Sequence, residues 1–365
     1  DERMKFYHAN GISITVIKDY KIEWTKSYGW ADSLEQRPVT SITRFQVGSN
    51  SKSINAVGVL KLVQDGKINL HEDINKYLKS WKFPYDTLSK GKKITVANLL
   101  SHTAGMTVHG FPGYEIGDTI PALTQILDGQ KPANTQAVRS IFEPSLKFQY
   151  SGGGTTISQL IVQDVTGQPY DEYMWQNVLK PMGMTNSSYT QPPTKKVEKF
   201  LATGYYNDGK PVKGKYHIYP EQAAAGLWTT SNDLAKYVIE TQLSLEGKSQ
   251  KVLNKETTTL RLTPYVDSTS AWGVFILNKG GVKYFNHGGV DEGSVSQYIC
   301  SVEGGNGELG FYLISDGSRV PYRLHFRRPC FIFYQAFAEM IKGALLSDAV
   351  IIMSSLNVIA GELDA

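Results

Sequence analysis

The chain has 365 residues, with 38 Lys and Arg against 34 Asp and Glu, for a formal net charge of +4. At roughly 150 residues per domain, that length makes two lobes or one large two-layer domain, and 41% apolar with 20% charged residues excludes a disordered chain. So mild a positive balance, with no Lys/Arg run carrying interleaved aromatics, excludes a nucleic-acid surface, and two cysteines, Cys300 and Cys330, exclude a disulfide scaffold or a Cys-rich zinc site.

The sequence opens Asp1-Glu2-Arg3-Met4 without a basic-then-apolar leader, which fits a cytoplasmic protein or one whose leader has been removed. The β-branched run Ile12–Ile17, the polar turn Lys18–Lys21 and the run Ile22–Tyr28 predict an antiparallel hairpin. Phe45-Gln46-Val47-Gly48 then leads into the cap-like cluster Ser49-Asn50-Ser51. The helix that follows carries Ala56, Val57, Val59, Leu60, Leu62 and Val63, apolar on nearly every face, and ends at Gly66.

From about residue 71 to 235 helical segments alternate with Gly/Pro loops: Val96–Leu100, Ala122–Leu127, Thr155–Val165, Tyr170–Leu179 and Ser231–Leu243. Beyond Thr263 the pattern returns to short strands, Ala271–Leu277, Val282–Asn286, Ser294–Val302 and Leu309–Ser315, before a helical stretch at Ile332–Leu346. Gly343–Gly361 is mostly apolar, but Asp348 and Asn357 favour a packed C-terminal helix over a bilayer span. There is no firm membrane signal. The lone sequon, at Asn186, leaves the compartment open.

Strands at both ends and helices between predict an α/β (α+β) fold, one antiparallel sheet built from both chain ends with an inserted helical lobe. The expected division is 1–70 and 236–365 as two parts of an α/β domain, the latter with a C-terminal helix, and 71–235 as the helical domain.

Several active-site patterns are missing: no G-x-S-x-G elbow, no phosphate loop and no H-E-x-x-H helix. Seven scattered histidines lack metal-ligand spacing, so neither metal nor cofactor is expected. The pattern present is S-x-x-K, whose spacing puts a serine hydroxyl and a lysine amine on one helix face. It occurs twice. Ser89-Lys90-Gly91-Lys92 lies in a polar loop, where Lys92 would be solvated. Ser49-Asn50-Ser51-Lys52 opens the all-round apolar helix, where a buried, neutral lysine can take the serine proton, and where N-terminal N–H groups can meet a developing oxyanion. A Ser-rich cap with an outward lysine is the competing reading.

Two further segments bear on that choice. Tyr150-Ser151-Gly152-Gly153-Gly154 is a glycine-rich loop before a helix, where Tyr150 is either a proton shuttle or an aromatic lid. His287-Gly288-Gly289 falls between two predicted strands, where glycines let a ligand approach the backbone or simply make a turn.

In that order, these segments resemble the serine β-lactamase and penicillin-binding-protein superfamily, in its class C-like branch of D-Ala-D-Ala carboxypeptidases, D-aminopeptidases, class C β-lactamases and family VIII carboxylesterases. Phe45–Ser49, Leu99-Leu100-Ser101-His102-Thr103-Ala104-Gly105-Met106, Pro181–Thr185 and Ala225–Leu234 extend the similarity over about residues 11–316. The resemblance implies a β-lactamase/transpeptidase-like fold with the site between sheet and helical lobe, and a secreted or periplasmic setting. It makes Ser49 the acylated nucleophile, Lys52 its base, Tyr150 the tyrosine of Tyr-x-Asn, and His287-Gly288-Gly289 the Lys/His-x-Gly motif. The oxyanion hole would be the N–H of Ser49 with that of Val290, and His102 would be structural.

The departures are informative. Gly152 stands where the family carries asparagine, removing a polar anchor for an acylamino group, and His287 replaces lysine, weakening attraction for a substrate carboxylate. Both point to a carboxylesterase-like hydrolase of small esters or amides. The alternatives are a D-amino-acid peptidase or penicillin-binding protein, DD-carboxypeptidase- or β-lactamase-like, and a β-lactam or peptidoglycan sensor that acylates and stalls. Arg319–Ala365, with its Arg327-Arg328-Pro329-Cys330 segment, resembles nothing in that family. The oligomeric state is not legible.

Overall fold

A computed structural model describes residue 4 and residues 9–279, 281–302 and 309–314. Cys330, the predicted helix Ile332–Leu346 and the apolar stretch Gly343–Gly361 lie outside these. The sheet begins with β1 (Gly11–Lys18) and β2 (Lys21–Asp32), paired antiparallel with Thr15 opposite Thr25. Asp19 and Tyr20, with φ of 49° and 59°, make a two-residue turn whose twist suits the strands it joins. After the short β3 (Arg37–Pro38), the chain leaves the sheet through β4 (Phe45–Gln46).

It returns as β6 (Phe275–Lys279), β7 (Val282–Asp291), β8 (Ser294–Ser301) and β9 (Leu309–Ile314), giving the order β3-β2-β1-β9-β8-β7-β6. β9 joins the two chain ends, its Leu309 opposite Ile17 and its Ile314 opposite Ile12. The sheet is thus antiparallel and assembled from both ends. The strand expected at Ala271 starts at Phe275, because Gly273 takes a left-handed φ of 76° and a Cβ there would stand 2.3 Å from that of Ala56.

Helix α1 (Asn50–Gln64) is buried at twelve of its fifteen residues and packs against β7 and several helices. Its polar residues survive there because each has partners. Asn55 donates to Ser158 and accepts from Tyr170, Ser53 donates to Gly273 O, and Tyr298 donates to Ser53. The helices between the sheet halves are α2 (Val96–Leu100), α3 (Leu123–Asp128), α4 (Gly152–Thr166), α5 (Tyr170–Met174), α6 (Gln222–Ala225), α7 (Ser231–Leu245) and α8 (Lys255–Arg261). A two-residue strand β5 (Trp228–Thr229) pairs with β4. Glycines 152–154, read as loop, form the first turn of α4: Ser151 caps it by accepting the Gly154 N–H at 3.0 Å. No helix among the described residues is long and apolar enough to cross a membrane.

Candidate active site

β4 delivers the chain to a tight turn, Val47-Gly48-Ser49, that starts α1. Gly48 has φ of 49°, and a Cβ on it would stand 2.6 Å from the Val290 N, so only glycine fits. Ser49 is half-buried; Lys52, one turn on, is 3% exposed. Lys52 Nζ donates to Ser49 Oγ at 2.8 Å and to Ala224 O at 2.7 Å, so the amine is aimed at the hydroxyl and anchored from α6.

Side chains from β7 and β8 brace this turn. Gly48 N–H donates to Asp291 Oδ2 at 3.0 Å, Ser296 Oγ donates to Val47 O at 2.8 Å and accepts from Asn50 Nδ2 at 2.6 Å, and Ser294 Oγ donates to Gln46 O. Sequence reasoning missed all four braces. The one available signal was the pair of serines at alternate positions of β8, polar residues on the strand face turned inward.

Tyr150 ends the loop before α4. Its ring lies 5.1 Å from Lys52 Nζ and packs against His102 with centroids 4.3 Å apart and planes tilted by 32°. No hydrogen bond among the described residues ties its hydroxyl to Ser49 or Lys52, so the structure brings ring and amine together without closing a proton path. The backbone around it is held from two sides: Ser151 N–H donates to His102 Nδ1 at 3.2 Å, and His109 Nδ1 donates to Tyr150 O at 2.6 Å. His102 is buried, with a left-handed φ of 57°, and burial followed by the nearby Lys52 charge keeps its imidazole well below the usual range. It therefore supports the Tyr150 ring as a neutral plate. Gly152 is buried against Phe111: a Cβ there would meet Phe111 Cε2 at 3.0 Å and His109 O at 3.1 Å, so any side chain at this position requires those neighbours to give way by a few tenths of an ångström.

β7 turns Phe285, His287, Gly289 and Asp291 inward. His287 is 2% exposed; burial, then the Lys52 charge, pushes its pKa down to about 3. Its Nδ1 donates to Gly288 O at 2.6 Å, and Nε2 is buried without a partner. Its ring lies 5.0 Å from that of Phe275 and 6.4 Å from that of Tyr150. A neutral imidazole so placed offers no charge to a substrate carboxylate. Gly288 is open, with Ser296 O 3.8 Å from where a Cβ would sit. Gly289 is the tight contact: a Cβ would stand 1.9 Å from Val47 O and 2.8 Å from Ser49 N. That approach sets the Val290 backbone beside Gly48 and Ser49, while the Val290 side chain, 40% exposed, stands on the rim. Ser49 N–H precedes α1 and makes no hydrogen bond among the described residues, which leaves it available to an oxyanion.

Two buried carboxyls lie near one another here, Asp291 on the turn and Glu221 close to Asp291. Burial outweighs the Gly48 N–H and the Lys52 charge at Asp291, pushing its pKa up to about 8. Glu221, just before α6, is wholly buried with neither oxygen hydrogen-bonded, and burial raises it to about 8 as well, the nearby Asp291 adding to the effect. The second S-x-x-K separates as expected: Ser89 Oγ donates to Asp86 O, and Lys92 pairs with Glu143 at 3.0 Å on the surface.

Comparison with known proteins divides the chain. A family model described as Beta-lactamase matches residues 1–309, and one described as Respiratory-chain NADH dehydrogenase, 49 Kd subunit, matches residues 283–365. The two overlap across β7 and β8. Protein flp of Staphylococcus aureus is 28% identical over 240 residues, 63% of this chain and 45% of that one. An NADH-quinone oxidoreductase component of Flavobacterium johnsoniae is 83% identical over 71 residues, 20% of this chain and 17% of that one. The chain thus spans less than half the length of either relative. In fold it is similar to the octameric penicillin-binding protein homologue from Pyrococcus abyssi, with a TM-score of 0.71 and 24% identity over 93% of this chain and 75% of that one. The segment Arg319–Ala365, foreign to the first family by sequence, falls wholly within the second match.

Proposed function

Since the chain belongs to the beta-lactamase family, we propose that it is a serine hydrolase working through an acyl-enzyme, carboxylesterase-like on small esters or amides. The observation that carries this reading is the 2.8 Å contact between Lys52 Nζ and Ser49 Oγ. When the amine is neutral the same contact runs in reverse, the hydroxyl donating to nitrogen. As the proton passes to Lys52, the Ser49 oxygen bonds to the substrate carbonyl carbon, and the carbonyl electron pair moves onto oxygen between the N–H groups of Ser49 and Val290. Collapse of that adduct breaks the bond to the leaving group, which takes the proton that Lys52 holds, either directly or relayed by the Tyr150 hydroxyl once that hydroxyl comes within bonding reach of the amine. Water repeats the cycle on the acyl-enzyme. The general base contributes roughly 10²–10⁴-fold and an oxyanion donor roughly 10²–10³-fold.

An ester or amide without a fixed acidic handle suits a pocket whose His287 is neutral and whose Gly152 carries no amide. A second reading, acylation without turnover, is favoured by the Tyr150 hydroxyl having no bond to Ser49 or Lys52. Fluorophosphonate labelling followed by mass spectrometry tests the assignment: Ser49 should carry the adduct and Ser49→Ala none. Undiminished labelling in Ser49→Ala removes the proposal. Short-chain p-nitrophenyl esters, D-Ala-D-Ala peptides and nitrocefin then rank the substrates, and an acyl-enzyme that persists with all three identifies the sensor.

A further inference from the structure

Beside the β4–β5 ribbon lies a cavity of about 320 Å³, lined by none of Ser49, Lys52, Tyr150 or His287, that the acyl-transfer chemistry does not use. Its walls include Arg44, Asp171, Glu172, Trp175, Leu179 and Trp228. The Arg44 side chain is half-buried and makes no hydrogen bond or ion pair among the described residues. Its Cζ lies 5.8 Å from the centroid of the Phe200 ring, and its Nε is buried without a partner. A half-buried guanidinium whose Nε has no acceptor is left short of hydrogen bonds, and a ligand carboxylate can supply them in bidentate fashion.

The nearby Asp233 does not serve that purpose, since its oxygens accept from Lys236 Nζ, Asn186 N and Ser187 Oγ. Asp171 and Glu172, in the first turn of α5, put negative charge on the same cavity. A bare anion would meet these two carboxylates, and a bare cation would meet Arg44. Trp175, Leu179 and Trp228 add apolar surface to the same cavity, and the volume suits a small molecule.

We propose that this cavity binds a small zwitterion with an apolar side chain, of the α-amino-acid class, its carboxylate on Arg44 and its ammonium facing Asp171 and Glu172. The cavity and the nucleophile turn share the same short ribbon. Arg44 immediately precedes β4, Trp228 pairs with Gln46, and Leu227 O accepts the Val47 N–H.

The test is calorimetric titration of the Ser49→Ala chain, so that acyl transfer plays no part and failure of the serine assignment leaves the result intact. L-leucine should bind at least tenfold tighter than 4-methylpentanoate or 3-methylbutylamine, which each lack one of its charges. Arg44→Gln and, independently, the surface change Glu172→Gln should each weaken L-leucine binding, the first by at least tenfold. The circular-dichroism melt of each variant establishes that it is folded, and Glu172→Gln carries the test if Arg44→Gln is not. Binding of L-leucine that survives the substitutions, single-charge analogues that bind as tightly as L-leucine, or no binding at about 10 mM, a free energy weaker than about 3 kcal/mol, overturns the proposal.

Discussion

Replacing Asp291 with asparagine isolates the buried carboxyl behind the nucleophile turn. The acid accepts the Gly48 N–H at 3.0 Å, a bond asparagine can keep through its own carbonyl oxygen. With a folded pKa of about 8 against 3.8 for the free acid, the native side chain holds a proton in the fold that the unfolded chain releases between those values. The folded state then binds more protons, so native stability falls as pH rises through that window and levels off above about 8. At about 1.4 kcal/mol per pH unit, going from pH 5 to pH 8 costs the native chain about 4 kcal/mol from this group, and Asp291→Asn nothing. Glu221 imposes the same trend on both chains and largely cancels in the difference. Urea unfolding at closely spaced pH values should show the variant gaining on the native chain as pH rises. Parallel stability curves over pH 5–8 would mean that the carboxyl is already ionised in the fold, and the reasoning would fail.

Other substitutions probe the remaining parts. Gly289→Ala drives a methyl into Val47 O, 1.9 Å from the ideal Cβ position, and should abolish covalent labelling of Ser49 while costing about 1–3 kcal/mol of stability; a normally labelled variant would mean that the turn can move. Ser151→Ala removes the α4 cap and the bond to Thr107 O, for an expected loss of about 1–2 kcal/mol by chemical denaturation. His287, neutral in the fold down to about pH 3, favours the unfolded state progressively as pH falls from 6.5 towards that value, so His287→Gln should flatten the acid limb of the stability profile. An acid limb unchanged in that variant would assign the loss to other groups.

How much of this was legible in the sequence follows from where the signals sit. Ser49 and Lys52 could be told from Ser89 and Lys92 because an all-round apolar helix reports burial and a glycine-bearing polar loop reports solvent, and the packing agrees. The sheet built from two chain ends was readable from strand runs separated by helices. The opening turn of α4 was not, since three glycines read as loop, and it is the Ser151 cap and the bonds from Gly152 and Gly153 N–H to His109 O and Val108 O that hold them at the helix start. The braces on the nucleophile turn and the lone Arg44 guanidinium were also hidden: both depend on residues more than a hundred positions apart, which no local pattern records.

The place of β9 has a consequence for synthesis. β1 leaves the ribosome well ahead of its inner neighbour, which, reaching from Leu309 opposite Ile17, emerges some 292 residues later. At about 5–20 residues per second, the first hairpin waits roughly 15–60 s with one row of amides and carbonyls unpaired. During that interval the nascent chain is a template for any passing strand, and fidelity of the finished molecule depends on what shields that row until translation reaches the stretch where the two family matches meet.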